Sequence, residues 1–137
     1  MSFIGRLLGY LSVLANLVLA LGLLGFGLIG SMDGGDMKID LIPVEPANMA
    51  NTLLIAGLIA LVCVVLALRP GKLSRTPLVL WSLLVAGIPI CALTRSSYHF
   101  NGEEHFRNGV WLFLGTLVLL IGAIYHRQLA PASRDRR

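Results

Sequence analysis

The sequence predicts an all-α integral membrane protein in which four transmembrane helices form an antiparallel bundle. Four apolar stretches, at about 6–30, 48–68, 77–94 and 109–126, hold almost no charge and are joined by polar links. A bilayer's hydrocarbon core of about 30 Å needs roughly 20 apolar residues per helical span. The chain has 137 residues and is 56% hydrophobic, so four spans and their links account for nearly all of it as one domain.

The basic residues predict how this bundle is oriented. Eight of the eleven Lys and Arg residues would lie on one side, and six of the seven acids on the other. The eight are Arg6, Arg69, Lys72, Arg75, Arg127, Arg134, Arg136 and Arg137. By the positive-inside rule, both termini are expected in the cytoplasm, with the basic tail 127–137 on anionic lipid. We therefore interpret the net charge of +4 as a sign of membrane topology and expect no nucleic-acid partner.

The first span carries small or polar residues at helical spacing, which predicts a packing face. These residues are Gly5, Gly9, Ser12, Asn16, Ala20, Gly27 and Gly30. Helices in lipid associate by close approach at small residues, because burying apolar surface gains little there. The alternative is chance, since Leu/Gly-rich spans contain many small residues. We expect Asn16 to bond to another helix and not to a substrate. The span is also too long for a signal-peptide core of about 7 to 15 residues.

The first outer link, 31–47, is predicted to contain a turn and a short extended segment. Residues 33–36 form a Gly/Asp-rich turn sequence, and residues 37–41 alternate apolar and polar side chains before Pro43. A lone strand has unpaired edges, so this segment is expected to lie on another loop or on a partner. We predict a partner-docking surface on this side. Its acidic residues are Asp33, Asp36, Asp40, Glu103 and Glu104.

The second span offers another small-residue face that could meet the first. Its members are Thr52, Ala56, Ala60, Cys63 and Ala67. The short turn that follows, at 69–72, makes spans two and three antiparallel neighbours. A disulfide between Cys63 and Cys91 is not expected, since their depths would differ by roughly 18 Å.

Two prolines and two tryptophans give further expectations for the third and fourth spans. Pro77 is expected at the start of span three, and Pro89 is expected to kink that helix near its outer end. Trp81 and Trp111 fit the aromatic belts at the two membrane interfaces.

The candidates for chemistry lie in the second outer link. His99, Glu103 and His105, with Asp33 or Asp36, would offer ligands for zinc or copper. The pattern is weak because HExxH is absent and turn formers surround it, so we predict neither a metal nor another cofactor. All three histidines are expected in links or at span ends, where His99 and His126 could reach a cofactor only at the surface.

These observations favour a non-catalytic accessory or structural subunit of a larger membrane complex, not an enzyme. The expected partners are larger integral membrane subunits and phospholipids. The Leu/Ala/Gly-rich composition with few aromatics suits a bacterial inner membrane protein. One alternative is a small transporter or channel for an uncharged or lipid-like substrate, its path lined by Asn16, Thr52, Ser82 and Pro89. Another is an outer-face metal or quinone-site protein using the histidines of the second outer link.

Overall fold

The computed structural model describes residues 3–34, 45–94 and 102–129, and these contain four helices and no strand. The helices are α1 (Phe3–Met32), α2 (Pro46–Ala67), α3 (Lys72–Thr94) and α4 (Glu103–Gln128). Each is long and apolar enough to cross a bilayer, which confirms the prediction of four such helices and indicates a multi-pass membrane protein. The predicted extended segment at 37–41 lies outside the described residues.

Two helices begin earlier than hydropathy suggests, because their first turns are polar. Helix α4 starts with Glu103 and Glu104, whose charges suit the positive end of a helix dipole. Helix α3 starts at Lys72, directly after Gly71, which takes a φ of 121°. Pro77 therefore lies inside α3, and the expectation that it starts the span was wrong. The helix also continues past the buried Pro89 to its end.

The four helices form a ring in which each packs mainly on its sequence neighbours and α4 closes onto α1. The α1–α2 interface is the most extensive. It is built on two reciprocal contacts, in which Gly27 faces Leu54 and Gly57 faces Leu24. The pairing of a later α1 residue with an earlier α2 residue shows that these two helices run antiparallel.

Glycine is required at these two contacts. A Cβ added to Gly27 would lie 2.7 Å from Leu54 Cγ and 2.9 Å from its backbone nitrogen, and a Cβ at Gly57 would meet Leu24 at the same distances. The first half of α1 packs instead against α4. A Cβ added to Gly122 of α4 would lie 2.6 Å from Ser12 Cβ of α1. Helix α1 is therefore held against two neighbours at different depths.

The core between the helices consists largely of small side chains. Its six buried alanines are Ala20, Ala50, Ala60, Ala67, Ala86 and Ala123. Trp81 packs in the same core with 7% of its surface exposed, so the expectation of a place in an interfacial belt was wrong. Trp111 is 67% exposed, as a belt residue would be. The two cysteines are unpaired, Cys63 buried and Cys91 exposed.

We predict that Gly27→Ala and Gly57→Ala destabilise the bundle by about 1 to 3 kcal/mol, because the new methyl group must displace a neighbouring backbone. Gly22→Ala is the matched control on α1, since a Cβ there meets nothing within 4 Å. It should be neutral or stabilising by up to about 1 kcal/mol through helix propensity. Unfolding in mixed detergent, followed by circular dichroism, measures all three. Equal effects at the three positions would refute the close approach of α1 and α2.

Candidate functional site

His126 is the centre of a polar cluster at the end of the bundle where α2 and α4 finish and α1 and α3 begin. It lies in the last turn of α4, at the span end where it was expected, but only 4% of its surface is exposed, so it is not placed to reach a cofactor at the protein surface. The ring nitrogen Nε2 lies 3.0 Å from the carbonyl oxygen of Ala67, in the last turn of α2. A carbonyl oxygen only accepts, so Nε2 must carry a hydrogen, and Nδ1 of the neutral ring is an acceptor.

Arg75 joins α3 to this cluster. Its Nη1 donates to the carbonyl oxygen of His126 at 2.8 Å, in the last turn of α4. The last carbonyls of a helix have no partner within it, and they carry its partial negative charge. Arg75 thus satisfies a carbonyl at the end of α4, and His126 satisfies one at the end of α2. We call the group of Arg75, His126 and Ala67 the clasp.

Helix α1 completes the surroundings of the clasp. A Cβ on Gly9 would lie 3.2 Å from His126 Cα, so α1 approaches the α4 backbone closely here. The Tyr10 ring stands edge-on to the His126 ring, with centroids 6.0 Å apart. His126 therefore touches or bonds elements of all three other helices.

Three nitrogens in and near the clasp are buried without a hydrogen-bond partner: Arg75 Nε, Trp81 Nε1 and His126 Nδ1. Two are donors, and the third accepts while the ring is neutral. An unsatisfied buried polar group costs about 1 to 3 kcal/mol. This end of the bundle therefore keeps unused hydrogen-bonding capacity, which makes it the best candidate for binding a polar group.

A second polar group, the polar trio of Ser12, Asn16 and Ser82, lies deeper in the bundle. All three side chains are buried, and Asn16 is fully enclosed near the middle of α1. The Asn16 amide donates to the Ser12 carbonyl at 2.9 Å and approaches Ser82 Oγ at 3.5 Å, which links α1 to α3 across the ring. Ser12 Oγ donates to Leu119 O of α4 at 2.7 Å.

The polar trio can form hydrogen bonds, but none of its groups ionises near neutral pH. Asn16 Oδ1 is buried without a partner and could accept one further bond. Thr52, which a transport path would also use, donates instead to Asn48 O of its own helix at 2.9 Å. The structure therefore joins Asn16 and Ser82 but gives Thr52 no bond to them.

The small-residue faces of α1 and α2 are largely buried inside the bundle. All seven residues of the α1 face are buried: Gly5, Gly9, Ser12, Asn16, Ala20, Gly27 and Gly30. On α2, Ala60, Cys63 and Ala67 are buried, while Ala56 is half-buried against the core. Contacts of Gly9, Ser12 and Gly27 are made to α4 and α2 of the same chain. A partner would therefore have to dock on other surfaces.

Sequence reasoning missed Gly57, Gly122, Arg75 and the buried role of His126. The two glycines could have been found, because a glycine within a span marks a possible close approach. Arg75 was placed in a link and His126 at a span end, since hydropathy decides only where the apolar part of a helix begins and ends. Nothing in the sequence pairs either side chain with a carbonyl on another helix.

The predicted acidic surface is described only in part. Asp33, Glu103 and Glu104 are exposed, while Asp36 and Asp40 lie outside the described residues. His99 also lies outside them, and the His105 side chain is not described. Within the described part of the chain, no three His, Cys, Asp or Glu side chains are grouped to hold a metal. The weak metal candidates His99 and His105 are therefore not tested by the structure.

A shallow groove of about 430 Å³ runs between α1 and α4 on the outside of the bundle. Its lining is apolar except for Ser12. The lining residues are Leu8, Leu11, Ser12, Leu14, Ala15, Val18, Val118 and Leu119.

Comparison of the chain with family models, curated proteins and solved structures gave no match. We therefore infer a function from the clasp, the polar trio and the outer faces of the bundle.

We predict that Arg75→Met destabilises the bundle by about 1.5 to 3 kcal/mol, because a charged hydrogen bond to the end of α4 is lost. Arg69→Met is the control, since Arg69 is exposed and its side chain makes no hydrogen bond. Thermal unfolding in detergent compares the two variants. If Arg69→Met lost as much stability as Arg75→Met, positive charge at this end of the bundle, and not the hydrogen bond of the clasp, would account for the effect.

Proposed function

We propose that this protein is a non-catalytic accessory subunit of a larger membrane protein complex. The polar groups inside the bundle support this role, because they join its helices to one another. Ser12 bonds α4, Asn16 reaches α3, and Arg75 and His126 bond the ends of α4 and α2. Such an interior gives a stable scaffold, and it leaves the outer surface for interaction.

The outer face of α1 and α4 carries the proposal. Gly22 on α1 and Gly115 on α4 each have open space where a Cβ would stand. Both continue the shallow groove toward the acidic end, where α1 ends and α4 begins. We call the surface of Ala15, Val18, Gly22, Gly115 and Val118 the docking face.

Glycines with open space at the Cβ position do not stabilise the bundle itself. A glycine in a helix is about 1 kcal/mol less favourable than alanine. This loss is offset where the glycine lets the backbone of a neighbouring helix approach closely. At Gly22 and Gly115 no described helix does so, so a transmembrane helix of a partner is the natural occupant of the docking face.

The acidic end provides a second surface for the same partner. Glu103 and Glu104 line an open depression of about 690 Å³ with Gly102, Phe106 and Arg107. Exposed carboxylates at this end suit basic side chains on an extramembrane part of a partner, and they contribute to orientation more than to affinity.

We predict that Gly22→Leu and Gly115→Leu release the partner while leaving the isolated bundle as stable as before, because a bulky side chain holds the partner helix away. Gly87→Leu on α3 is the matched control: its Cβ position is equally open but lies outside the docking face. The complex is purified from native membrane in mild detergent, and its mass and subunit stoichiometry are measured. Retention of the partner by both α1 and α4 variants would refute the docking face.

The alternative of a small transporter is favoured by one observation, the unpartnered Asn16 Oδ1 inside the bundle. An uncharged substrate with a donor group could bond there. The two roles separate at purification, since a transporter of this size should run as a monomer or homodimer, and an accessory subunit with larger subunits in fixed ratio.

The proposal includes the orientation with both termini in the cytoplasm. Within the described residues, five of six cations lie at one end of the bundle and all four acids at the other. In a background with Cys63→Ala and Cys91→Ala, a cysteine at Asp33 should react with an impermeant thiol reagent in intact cells, and one at Arg69 only after lysis. The reverse labelling pattern would show that the protein has the opposite orientation in the membrane.

A further inference from the structure

Four cations lie at the same end of the bundle, on α3, on α4 and in the turn before α3. Lys72 and Arg75 are three residues apart in α3, so their Cβ atoms are about 5 to 6 Å apart. Ser74 Oγ donates to Gly71 O at 2.9 Å and lies 3.2 Å from Arg69 O, which folds Arg69 back against the start of α3. The bond from Arg75 to His126 O holds the start of α3 against the end of α4, which carries Arg127. We call Arg69, Lys72, Arg75 and Arg127 the cation corner.

No described carboxylate neutralises this corner. The described acids, Asp33, Glu45, Glu103 and Glu104, all lie at the opposite end of helices about 33 to 45 Å long. At physiological salt, charges are screened beyond about 8 Å, so those acids have little effect here. The free N–H groups at the start of α3 add further positive potential. The corner is thus complementary to an anion from outside the described chain.

The side chains beside the corner indicate where that anion comes from. Leu68 and Leu73, on either side of the turn, are 69% and 87% exposed. Exposed leucines next to cations suit the boundary between headgroups and acyl chains, where apolar side chains enter the bilayer and charged ones meet phosphates. A site for a soluble anion would gain nothing from these leucines.

We propose that the cation corner binds the phosphate group of an anionic phospholipid. Arg69, Lys72 and Arg127 are exposed and contact the phosphate oxygens. Arg75 is half-buried and acts as a positioning residue, because its bond to His126 O holds the start of α3 against the end of α4. The site lies on α3 and α4 and does not depend on the docking face or on the subunit role.

The test compares two double variants that each remove two positive charges. Lys72→Gln with Arg127→Gln removes cations from the corner, whereas Arg6→Gln with Arg107→Gln removes one cation on α1, diagonal to α3, and one at the acidic end. The purified full-length chain in neutral detergent is titrated with phosphatidylglycerol or phosphatidylcholine, and bound lipid is counted by native mass spectrometry. The corner variant should bind phosphatidylglycerol at least about fivefold more weakly, and the control should bind normally.

A charge-preserving variant, Lys72→Arg with Arg127→Lys, should keep the affinity and so distinguishes lost charge from lost folding. Three results would each overturn the proposal. The first is an equal loss of affinity in both double variants. The second is equal binding of phosphatidylglycerol and phosphatidylcholine by the unmodified chain. The third is displacement of phosphatidylglycerol by inorganic phosphate at equal concentration, which would indicate a site for a free anion.

Discussion

The close approach of α1 to its neighbours is the constraint on which the rest of the bundle depends. Gly27 admits Leu54 of α2, and Gly9 lies against the backbone of α4 at His126. Between them Asn16 reaches Ser82 on α3, the helix diagonal to α1. In lipid, apolar burial gives helices little reason to associate, so such contacts have to supply the energy. A larger side chain at either glycine would separate α1 from one neighbour and move Asn16 from its partners.

The clasp satisfies the backbone carbonyls at the ends of two helices. Helices α2 and α4 both finish there, and the last carbonyls of a helix have no partner within it. His126 and Arg75 donate to these carbonyls from neighbouring helices, so each bond satisfies a helix end and also joins two helices. Because His126 lies against Gly9, the clasp itself depends on the close approach of α1.

The sequence predicts the helices and the shared face of α1 well, because length, hydropathy and helical spacing determine both. It does not predict which neighbour covers each residue. Gly9 and Gly27 belong to one face, yet one meets α4 and the other α2. Hydropathy also misplaced Pro77, since it detects the apolar part of a helix and not its polar first turn. Trp81 lies in the core because its place on α3 faces inward, a property that distance from the interface does not reveal.

Small residues in this chain serve two different surfaces, and only the structure separates them. Leucines of the same chain occupy the space beside Gly27 and Gly57, whereas the space at the Cβ positions of Gly22 and Gly115 is open. In the sequence alone, these glycines are equivalent members of Leu/Gly-rich spans. A face whose glycines are already occupied cannot also receive a partner helix. A partner helix of the kind we propose would therefore meet the open glycines on α1 and α4, and not the buried face of α1.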